Sequence, residues 1–319
     1  MTQSHDTSPI SRRQALMAGA ALPLAAASGG ALGALGGPAA AQPAMLGVSR
    51  PPYNRVRLGG FEVTTLLAGT RTVPDPQTIF GLNVSPEDFA AVSAENLIPD
   101  DRAQFFFTPT LVNTGSELIL FDTGLNAAGI TDALAAAGYG ADQVDTVVIT
   151  HMHGDHIGGL LSDGAPTFAN ARYVTGAVEF DAFAGMENDG FEANVRPLAE
   201  RFAMLDDGGA VAPGVTAMLA AGHTPGHMAY LLDSEGAQLL IAADFANHFV
   251  WSLAHPDWEV RFDRDKAAAA ATRRRLLDML AAERMPFIGY HMPFPGLGYV
   301  APEGEGYRYL PASYQLIMD

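Results

Sequence analysis

The 319-residue sequence contains no cysteine. Disulfide bonds, iron–sulfur clusters and thiolate-bound metals are therefore excluded, and any bound metal depends on nitrogen and oxygen ligands. Basic residues are also scarce, since 18 Lys and Arg stand against 35 Asp and Glu and leave a net charge of −17. This charge repels phosphate backbones and anionic lipid, so we expect neither nucleic acid nor a membrane surface as a partner. Hydrophobic residues make up 48% of the chain, which is enough for a large core.

The N-terminal region predicts an export signal. Residues 11–16 read Ser-Arg-Arg-Gln-Ala-Leu, which resembles the twin-arginine signal, and an Ala/Gly/Leu-rich stretch leads to a small-residue cleavage site at 39–41. Ala15 and Met17 stand where a Phe and a Lys are more usual, so ordinary secretion is the alternative route. We expect a periplasmic or secreted protein with no stable membrane insertion after cleavage. The predicted parts are the signal at 1–41, a Pro-rich tail at 42–53 and one folded domain at 54–319.

Apolar periodicity in the remaining chain predicts two similar halves of the α/β class. Each half places short apolar strands and hairpins before a helix, with turn residues between them. The predicted strands are 56–58, 61–66, 110–113, 118–121, 147–150, 217–219, 230–232, 238–241 and 286–290, and the predicted helices are 126–137 and 265–284. Two sheets with helices outside them form a four-layer αββα sandwich.

Two other segments carry expectations of their own. The segment 71–101 is irregular and rich in proline, which predicts a lid or a binding loop. The run of three arginines at 273–275 lies in the last predicted helix. Because the whole chain is acidic, we expect this run to be a solvated helix face rather than a nucleic-acid patch.

The run His151-Met152-His153-Gly154-Asp155-His156 follows an apolar strand and places four metal-binding side chains within six residues. In an extended segment His151 and His153 project to one side, where both suit a single metal as neutral imidazoles. Gly154 frees the backbone at the following turn, so that Asp155 and His156 can face a second metal. The carboxyl end of a strand is also where α/β sheets place their ligands. The run therefore predicts a metal site.

This run resembles the signature of the metallo-β-lactamase superfamily, and further matches extend the resemblance. Residues 220–227, Ala-Ala-Gly-His-Thr-Pro-Gly-His, are similar to the family's second histidine motif. Asp244 matches its bridging aspartate and His291 its last histidine. The resemblance implies the αββα fold and two divalent metal ions, for which imidazole and carboxylate ligands suit zinc, with iron, manganese or cobalt as alternatives.

The implied ligands form two sets joined by one carboxylate. One metal takes His151, His153 and His223, the other takes Asp155, His156 and His291, and Asp244 bridges them. His227 is the alternative to His223 as a ligand of the first metal. If His223 is the ligand, His227 is expected to orient a ligand without binding the metal itself. Asp122, which ends a strand, is expected to orient a ligand in the same way.

Asp244 also separates the subgroups of this superfamily. Lactam-cleaving members usually lack this carboxylate, whereas lactonases, phosphodiesterases, glyoxalase II and methyl parathion hydrolase keep it. Residues 291–298, His-Met-Pro-Phe-Pro-Gly-Leu-Gly, resemble the C-terminal segment of the methyl parathion hydrolase group. Residues 262–265, Phe-Asp-Arg-Asp, resemble that group's stretch before the last helix, although Tyr299 stands where the group often continues with His.

The resemblance implies hydrolysis of an ester, a lactone or an organophosphate triester by a metal-bridging hydroxide. In this interpretation the catalytic residues are Asp244, which clamps the metals, and Asp155, which relays a proton towards the leaving group. The alternatives are an iron-dependent, oxygen-using oxidoreductase similar to persulfide dioxygenase, and a thioesterase similar to glyoxalase II.

Aromatic residues near the ligands predict the substrate pocket. Phe294, which follows His291 by three residues, is the first candidate, and Phe106, Phe249 and Trp251 are named with it. The wider set of aromatic candidates for an apolar wall adds Phe80, Phe105, Phe107 and Trp258. An aromatic pocket in an acidic chain favours a small, neutral, apolar substrate. A homodimer is one of the assemblies that the sequence leaves open.

Overall fold

A computed structural model of the chain describes residues 45–318. Ser49–Asp319 forms a compact unit. The predicted export signal at 1–41 lies outside the described residues, as does part of the predicted tail, and the first strand begins at Tyr53. No helix within residues 45–318 has the length and apolar character needed to cross a membrane.

The described chain folds into strands that are mostly short and follow one another through tight turns. In chain order the strands are β1 (Tyr53–Leu58), β2 (Phe61–Leu66), β3 (Gly69–Pro74), β4 (Arg102–Phe107), β5 (Thr110–Asn113), β6 (Leu118–Phe121), β7 (Thr146–Ile149), β8 (Leu161–Ser162), β9 (Ala165–Pro166), β10 (Arg172–Gly176), β11 (Phe202–Leu205), β12 (Ala210–Ala212), β13 (Val215–Leu219), β14 (Met228–Ser234), β15 (Ala237–Ala243), β16 (Phe287–Gly289), β17 (Leu297–Glu303) and β18 (Gly306–Pro311).

Helices connect the strands, and several begin at a capping side chain. They are α1 (Pro86–Glu95), α2 (Ala127–Ala136), α3 (Gly154–Ile157), α4 (Ala177–Ala184), α5 (Asp189–Asn194) and α6 (Lys266–Glu283), with short 3-10 helices at Pro76–Thr78, Ala141–Gln143 and Arg196–Arg201. Ser85, Asn126 and Asp265 each accept a backbone N–H from the first turn of the following helix. Each such cap stabilises its helix by about 1 kcal/mol.

Two seven-stranded sheets carry the architecture. The first has the order β1-β2-β5-β6-β7-β10-β11 and the second the order β12-β13-β14-β15-β16-β17-β18. In the first sheet β7 lies parallel to both β6 and β10, and in the second β15 lies parallel to β16. Parallel neighbours end at the same edge of a sheet, which collects the residues that follow them.

Three apolar cores separate the four layers, and strand alternation assigns residues to them. In β6, Leu118 and Leu120 face the core beneath α2, while Ile119 and Phe121 face the core between the two sheets. A third core lies between the second sheet and α6, where Leu240 meets Leu276. Burying side chains of this size contributes about 1.5–3 kcal/mol each. The predicted αββα sandwich is confirmed.

Two local predictions were wrong in part. The segment 71–101 is not irregular, because it holds most of β3, which pairs with β4 in a separate two-stranded ribbon, and also the helix α1. Three of its residues, Arg71, Val73 and Ile79, nevertheless line a cavity beside the histidine run. The arginine run is not wholly solvated either. Arg273 is only 1% exposed, since α6 turns this one guanidinium towards the interior. Periodicity in the sequence does not show which polar residue of a helix finds a buried partner.

Candidate metal centre

The site lies where strands of both sheets end. The histidine run follows β7, and His223 follows β13 in the other sheet. Asp244 comes directly after β15, and His291 comes two residues after β16. The sandwich therefore brings four chain segments, far apart in sequence, to one edge of the fold. This edge is where α/β sheets place their ligands.

Three histidines form the half of the site that we call the imidazole half: His151, His153 and His223. The Nδ1 atom of His153 lies 3.1 Å from Nε2 of His151 and 3.0 Å from Nε2 of His223. All three rings are largely or fully buried, with His151 fully so. Their donor atoms meet within 4.8 Å of one another.

The other half, which we call the carboxylate half, consists of Asp155, His156 and His291. Oδ2 of Asp155 lies 3.3 Å from Nε2 of His291 and 3.7 Å from Nε2 of His156. The Asp155 side chain is 23% exposed, whereas those of His156 and His291 are at most 5% exposed. The carboxylate half therefore meets solvent through Asp155.

Asp244 lies between the two halves. Its Oδ2 atom lies 3.1 Å from Nε2 of His291 and 3.5 Å from Nε2 of both His156 and His223, and 3.8 Å from that of His151. One carboxylate oxygen thus faces imidazoles of both halves. Its left-handed neighbour Ala243, with φ 47°, turns the chain sharply at the end of β15. Such strained backbone is typical of functional sites.

The two halves differ in their electrostatics. Burial, followed by the nearby His223, lowers the pKa of His153 to about 3, and burial also lowers the pKa of His151. In the carboxylate half burial acts in the same direction but is outweighed. Asp244 and Asp155 raise the pKa of His291 to about 10, and Asp122 and Asp244 raise that of His156. The imidazole half therefore holds neutral rings, and the carboxylate half holds rings that retain protons.

A cavity of about 450 Å³ opens onto the cluster. Its apolar wall includes Phe105 and Phe107, whose rings meet the edge of His291 at 5.2 and 5.5 Å. A larger groove, of about 660 Å³, lies along β1, β2 and the C-terminal segment, away from the cluster.

Of the aromatic candidates for the pocket, Phe105 and Phe107 line this cavity, whereas Phe294, Phe106, Phe249 and Trp251 are not among its lining residues. Phe106 alternates with Phe105 and Phe107 along β4, so its side chain takes the other face. Trp251 is buried in the core and donates to Ser93, while Phe249 packs towards Tyr309. Phe294 is half-buried in the turn before β17.

The profile of the Metallo-beta-lactamase superfamily matches residues 108–286, more than half of the chain. The chain belongs to the metallo-beta-lactamase superfamily. Among curated relatives, the N-acyl homoserine lactonase of Bacillus cereus is 26% identical over 163 residues, which cover 50% of this chain and 61% of the lactonase. The probable metallo-hydrolase YybB of Bacillus subtilis (strain 168) is 29% identical over 127 residues, which cover 37% and 53%. The chain thus spans roughly half the length of these relatives.

Solved structures of the superfamily show the same fold over most of the chain. AidC, a dizinc quorum-quenching lactonase, superposes with a TM-score of 0.77 at 23% identity, covering 82% of this chain and 98% of AidC. The hydrolase AbOPH gives the same TM-score at 24% identity and covers 84% and 100%. These superpositions show the metallo-beta-lactamase fold over most of the chain.

The cluster fits divalent metal ions, as expected for a metallo-beta-lactamase fold. Nε2 of His156 and Oδ1 of Asp244 are buried and have no hydrogen-bond partner among the described residues. Buried polar atoms of this kind are costly unless something satisfies them. Nε2 of His151, Nε2 of His223 and Nδ1 of His153 also point towards one another. In neutral imidazoles these atoms can carry lone pairs, and a cation between them would bind all three.

Asp122 lies behind the cluster, where the sequence placed it. Its Oδ2 accepts from Nδ1 of His156 at 2.8 Å, and its carboxylate also accepts from the Thr150 hydroxyl, which in turn lies 3.1 Å from Nδ1 of His151. These contacts direct Nε2 of both rings into the cluster. Asp122 has a left-handed φ of 63°, which turns it back from the end of β6.

Asp263 and Arg273 form a second support that sequence reasoning missed. Nδ1 of His223 donates to Asp263 at 2.8 Å, and the Arg273 guanidinium donates to the other Asp263 oxygen at 2.8 Å. Arg273 also donates to the backbone carbonyl of Phe245, the residue after Asp244. The buried Arg273 guanidinium thus contacts both Asp263, which holds His223, and the backbone next to Asp244. The Phe-Asp-Arg-Asp stretch at 262–265 was the sequence signal from which Asp263 could have been identified.

His227 does not point its ring into the cluster as a ligand would. Its Nε2 accepts from the backbone N–H of Asp244 at 3.0 Å, so it supports that residue from behind. Glu179 was also missed. Its two carboxylate oxygens accept from the N–H groups of Met152 and Gly226, each at 2.9 Å, and so hold the two histidine loops together. No local pattern marks Glu179, because both contacts are long-range.

The backbone holds the last histidine. Nδ1 of His291 lies 2.8 Å from the carbonyl oxygen of Phe106, and the hydroxyl of Tyr290 donates to the carbonyl of Asp155 at 2.5 Å. Phe106 therefore serves the site through its carbonyl rather than through its ring. The ring of Tyr290 also packs on His156, with centroids 4.0 Å apart.

Proposed function

We propose that the chain is a two-metal hydrolase of small esters and lactones, with organophosphate triesters as a further substrate class. The observation that carries the proposal is the position of one Asp244 oxygen within 3.1–3.8 Å of four imidazole nitrogens from both halves of the site. A shared carboxylate of this kind suits a pair of cations. The lactonases among the relatives support the choice of ester and lactone chemistry.

The proposed ligands divide as the two halves do. His151, His153 and His223 hold one ion, Asp155, His156 and His291 hold the other, and Asp244 bridges them. Two divalent ions supply, when bound, an activated water and a Lewis acid for the oxygen that gains negative charge. Nitrogen and oxygen donors suit zinc, with iron, manganese or cobalt as alternatives.

Asp155 and the cavity wall complete the proposal. Asp155 has the most solvent-exposed side chain of the carboxylate half and lines the cavity, so it can accept the proton that the attacking water loses and pass it to the leaving group. Phe105, Phe107 and Leu125 exclude water and contact the apolar part of a substrate. A cavity of about 450 Å³ suits a small molecule.

The test compares metal-loaded forms of the protein on a substrate panel. Metal-free protein is reloaded with zinc, manganese, cobalt or iron and assayed with p-nitrophenyl esters, acyl lactones, a phosphotriester and a thioester. We expect turnover of esters or lactones that disappears in Asp244→Ala and persists in His255→Ala, because His255 packs on Trp258 away from the cluster.

Two outcomes would contradict the proposal. Oxygen consumption with a persulfide and no hydrolysis would indicate the iron-dependent oxidoreductase instead. Turnover confined to the thioester would indicate the activity of the glyoxalase II type.

We also propose that residues 1–41 export the protein to the periplasm by the twin-arginine route. The support is the Ser-Arg-Arg-Gln-Ala-Leu run and the small residues at 39–41. Replacing both Arg12 and Arg13 with Lys should leave the protein in the cytoplasmic fraction. Unchanged export would favour ordinary secretion.

A further inference from the structure

Outside the metal-binding cluster, the charged residues that line the cavity are basic, although the chain as a whole is acidic. Asp155 and Asp244 belong to the cluster, and the rest of the lining contains two arginines and no Asp or Glu. Acidic residues outnumber basic ones by 35 to 18 in the sequence, so chance alone favours acids there. The arginines are Arg71 and Arg261, set among apolar side chains.

Arg71 reaches the cavity from the side of the carboxylate half. It lies in β3 directly opposite Phe105 in β4, and residues paired across strands have neighbouring side chains. The ring of Phe105 in turn meets His291 at 5.2 Å. Val73, two residues along β3, lines the same cavity, as strand alternation requires.

Arg261 reaches the cavity from the side of the imidazole half. It follows Val260, which bridges to Phe80, and its backbone N–H donates to Ile79 at 2.7 Å. Two residues later Asp263 holds His223. The Arg261 guanidinium lies 4.9 Å from the ring centroid of Phe262, which also lines the cavity.

Neither guanidinium has a partner of its own. Within residues 45–318, Arg71 and Arg261 take part in no ion pair and donate no side-chain hydrogen bond, and both residues are exposed. Thirteen other arginines lie in the described chain. Six have a carboxylate partner, namely Arg102, Arg172, Arg196, Arg273, Arg274 and Arg308. Four donate side-chain hydrogen bonds to other acceptors, namely Arg55, Arg57, Arg201 and Arg275, and three have neither, namely Arg50, Arg264 and Arg284. Unpaired guanidiniums beside an apolar wall attract oxyanions, because the wall limits screening by water.

We propose that the cavity binds substrates with an apolar body and one terminal oxyanion group, which Arg71 and Arg261 hold while the ester or lactone bond lies at the cluster. This inference rests on the proposed function and narrows its substrate class. Water adds across the scissile C–O bond to give an acid and an alcohol, with no change of oxidation state. The net charge of the chain had favoured a neutral substrate, but the cavity's own charges lie closer to the ligand.

A matched pair of esters tests the proposal, with a terminal carboxylate as the probe. Mono-p-nitrophenyl adipate and p-nitrophenyl hexanoate have the same six-carbon acyl chain and differ in the carboxylate at its far end. We expect kcat/KM of the zinc-loaded protein to be about tenfold higher for the adipate ester. Arg71→Gln and Arg261→Gln should each lower kcat/KM several-fold more for the adipate ester than for the hexanoate ester, and so remove most of this preference.

Two matched controls separate the cavity arginines from surface arginines. Arg102→Gln changes an arginine of the same ribbon and Arg264→Gln one of the same loop, and neither residue lines the cavity. Both variants should keep the preference for the adipate ester. Equal kcat/KM for the two esters in the unmodified protein would overturn the proposal, as would equal losses on both esters in the Arg71 and Arg261 variants.

A binding measurement tests the oxyanion subsite without requiring hydrolysis. Calorimetry compares adipate with hexanoate on the zinc-loaded protein, where both offer a carboxylate to the cluster and only adipate offers a second one. We expect adipate to bind about tenfold more tightly than hexanoate. This difference should vanish in the double variant that combines Arg71→Gln and Arg261→Gln. If no ester is hydrolysed, the proposed function fails, while equal binding of the two acids overturns the oxyanion subsite alone.

Discussion

The two halves of the candidate metal centre offer similar ligand atoms but are built differently. The imidazole half consists of three largely buried histidines, and its supports are side chains from distant segments, Asp263 and Arg273 among them. The carboxylate half combines histidines with Asp155 and opens to the cavity through that residue. It is held by the Asp122 side chain behind His156 and by the Phe106 carbonyl behind His291. Since burial keeps one half neutral and carboxylates keep the other protonated, we infer that the halves respond differently to mutation and to pH.

The largest effect is expected where the halves meet. Asp244→Ala removes the only carboxylate that faces both of them among the described residues, so we expect loss of one metal and a fall in kcat/KM of about 10³-fold. Metal analysis and steady-state kinetics measure the two effects. Two metals retained with rates near those of the unmodified protein would refute the bridging role.

A support of the imidazole half ranks second. Asp263→Asn removes the charge that orients His223 and pairs with the buried Arg273. We expect metal affinity to fall about 10- to 100-fold at one of the two sites, measured by competition with a chelator. Asp257→Asn is the matched control, because Asp257 pairs with the neighbouring Arg274 at the surface. Equal affinities in the two variants would contradict the supporting role of Asp263.

The halves should also differ in their dependence on pH. The pKa of His291 is raised to about 10, so below that pH a metal entering the carboxylate half must displace its proton. The pKa of His156 is raised as well, so affinity there should rise by between about tenfold and a hundredfold per pH unit between pH 6 and 8. The pKa of His153 is lowered to about 3, so binding by the imidazole half releases no proton from it in this range.

Zinc titrations at several pH values, in buffers with different ionisation enthalpies, measure these released protons. If the zinc affinities of the two sites depended on pH in the same way, the proposed difference in protonation between the two halves would be wrong.

The smallest effect concerns the cavity wall above the carboxylate half. Phe105→Ala removes a ring that packs on His291 and lines the cavity, and we expect KM for an apolar ester to rise about fivefold. Phe106→Ala is the neighbouring control, since it keeps the carbonyl that holds His291. Its KM should change by less than twofold. Similar KM values for the two variants would contradict the assignment of Phe105 to the wall.

Local patterns in the sequence determined much of the fold. The strands β5 and β6 have the predicted bounds, and α6 differs from its prediction only by its two capping residues, Asp265 and Arg284. These elements were predictable because apolar alternation, turn residues and helix caps are properties of neighbouring residues. The histidine run was predictable for the same reason, since its donor atoms lie within six residues.

Only the tertiary structure decided the surroundings of the metal centre. It selected Phe105 and Phe107 over Phe106, because the side of β4 that faces the cavity depends on how the ribbon packs. It buried Arg273 against Asp263, and it joined the histidine loops through Glu179. Such contacts link residues 10 to 47 positions apart, and their free energy depends on burial that a local pattern does not contain. The sequence by itself determined which atoms can bind metal, and the packing decided what holds them and what faces them.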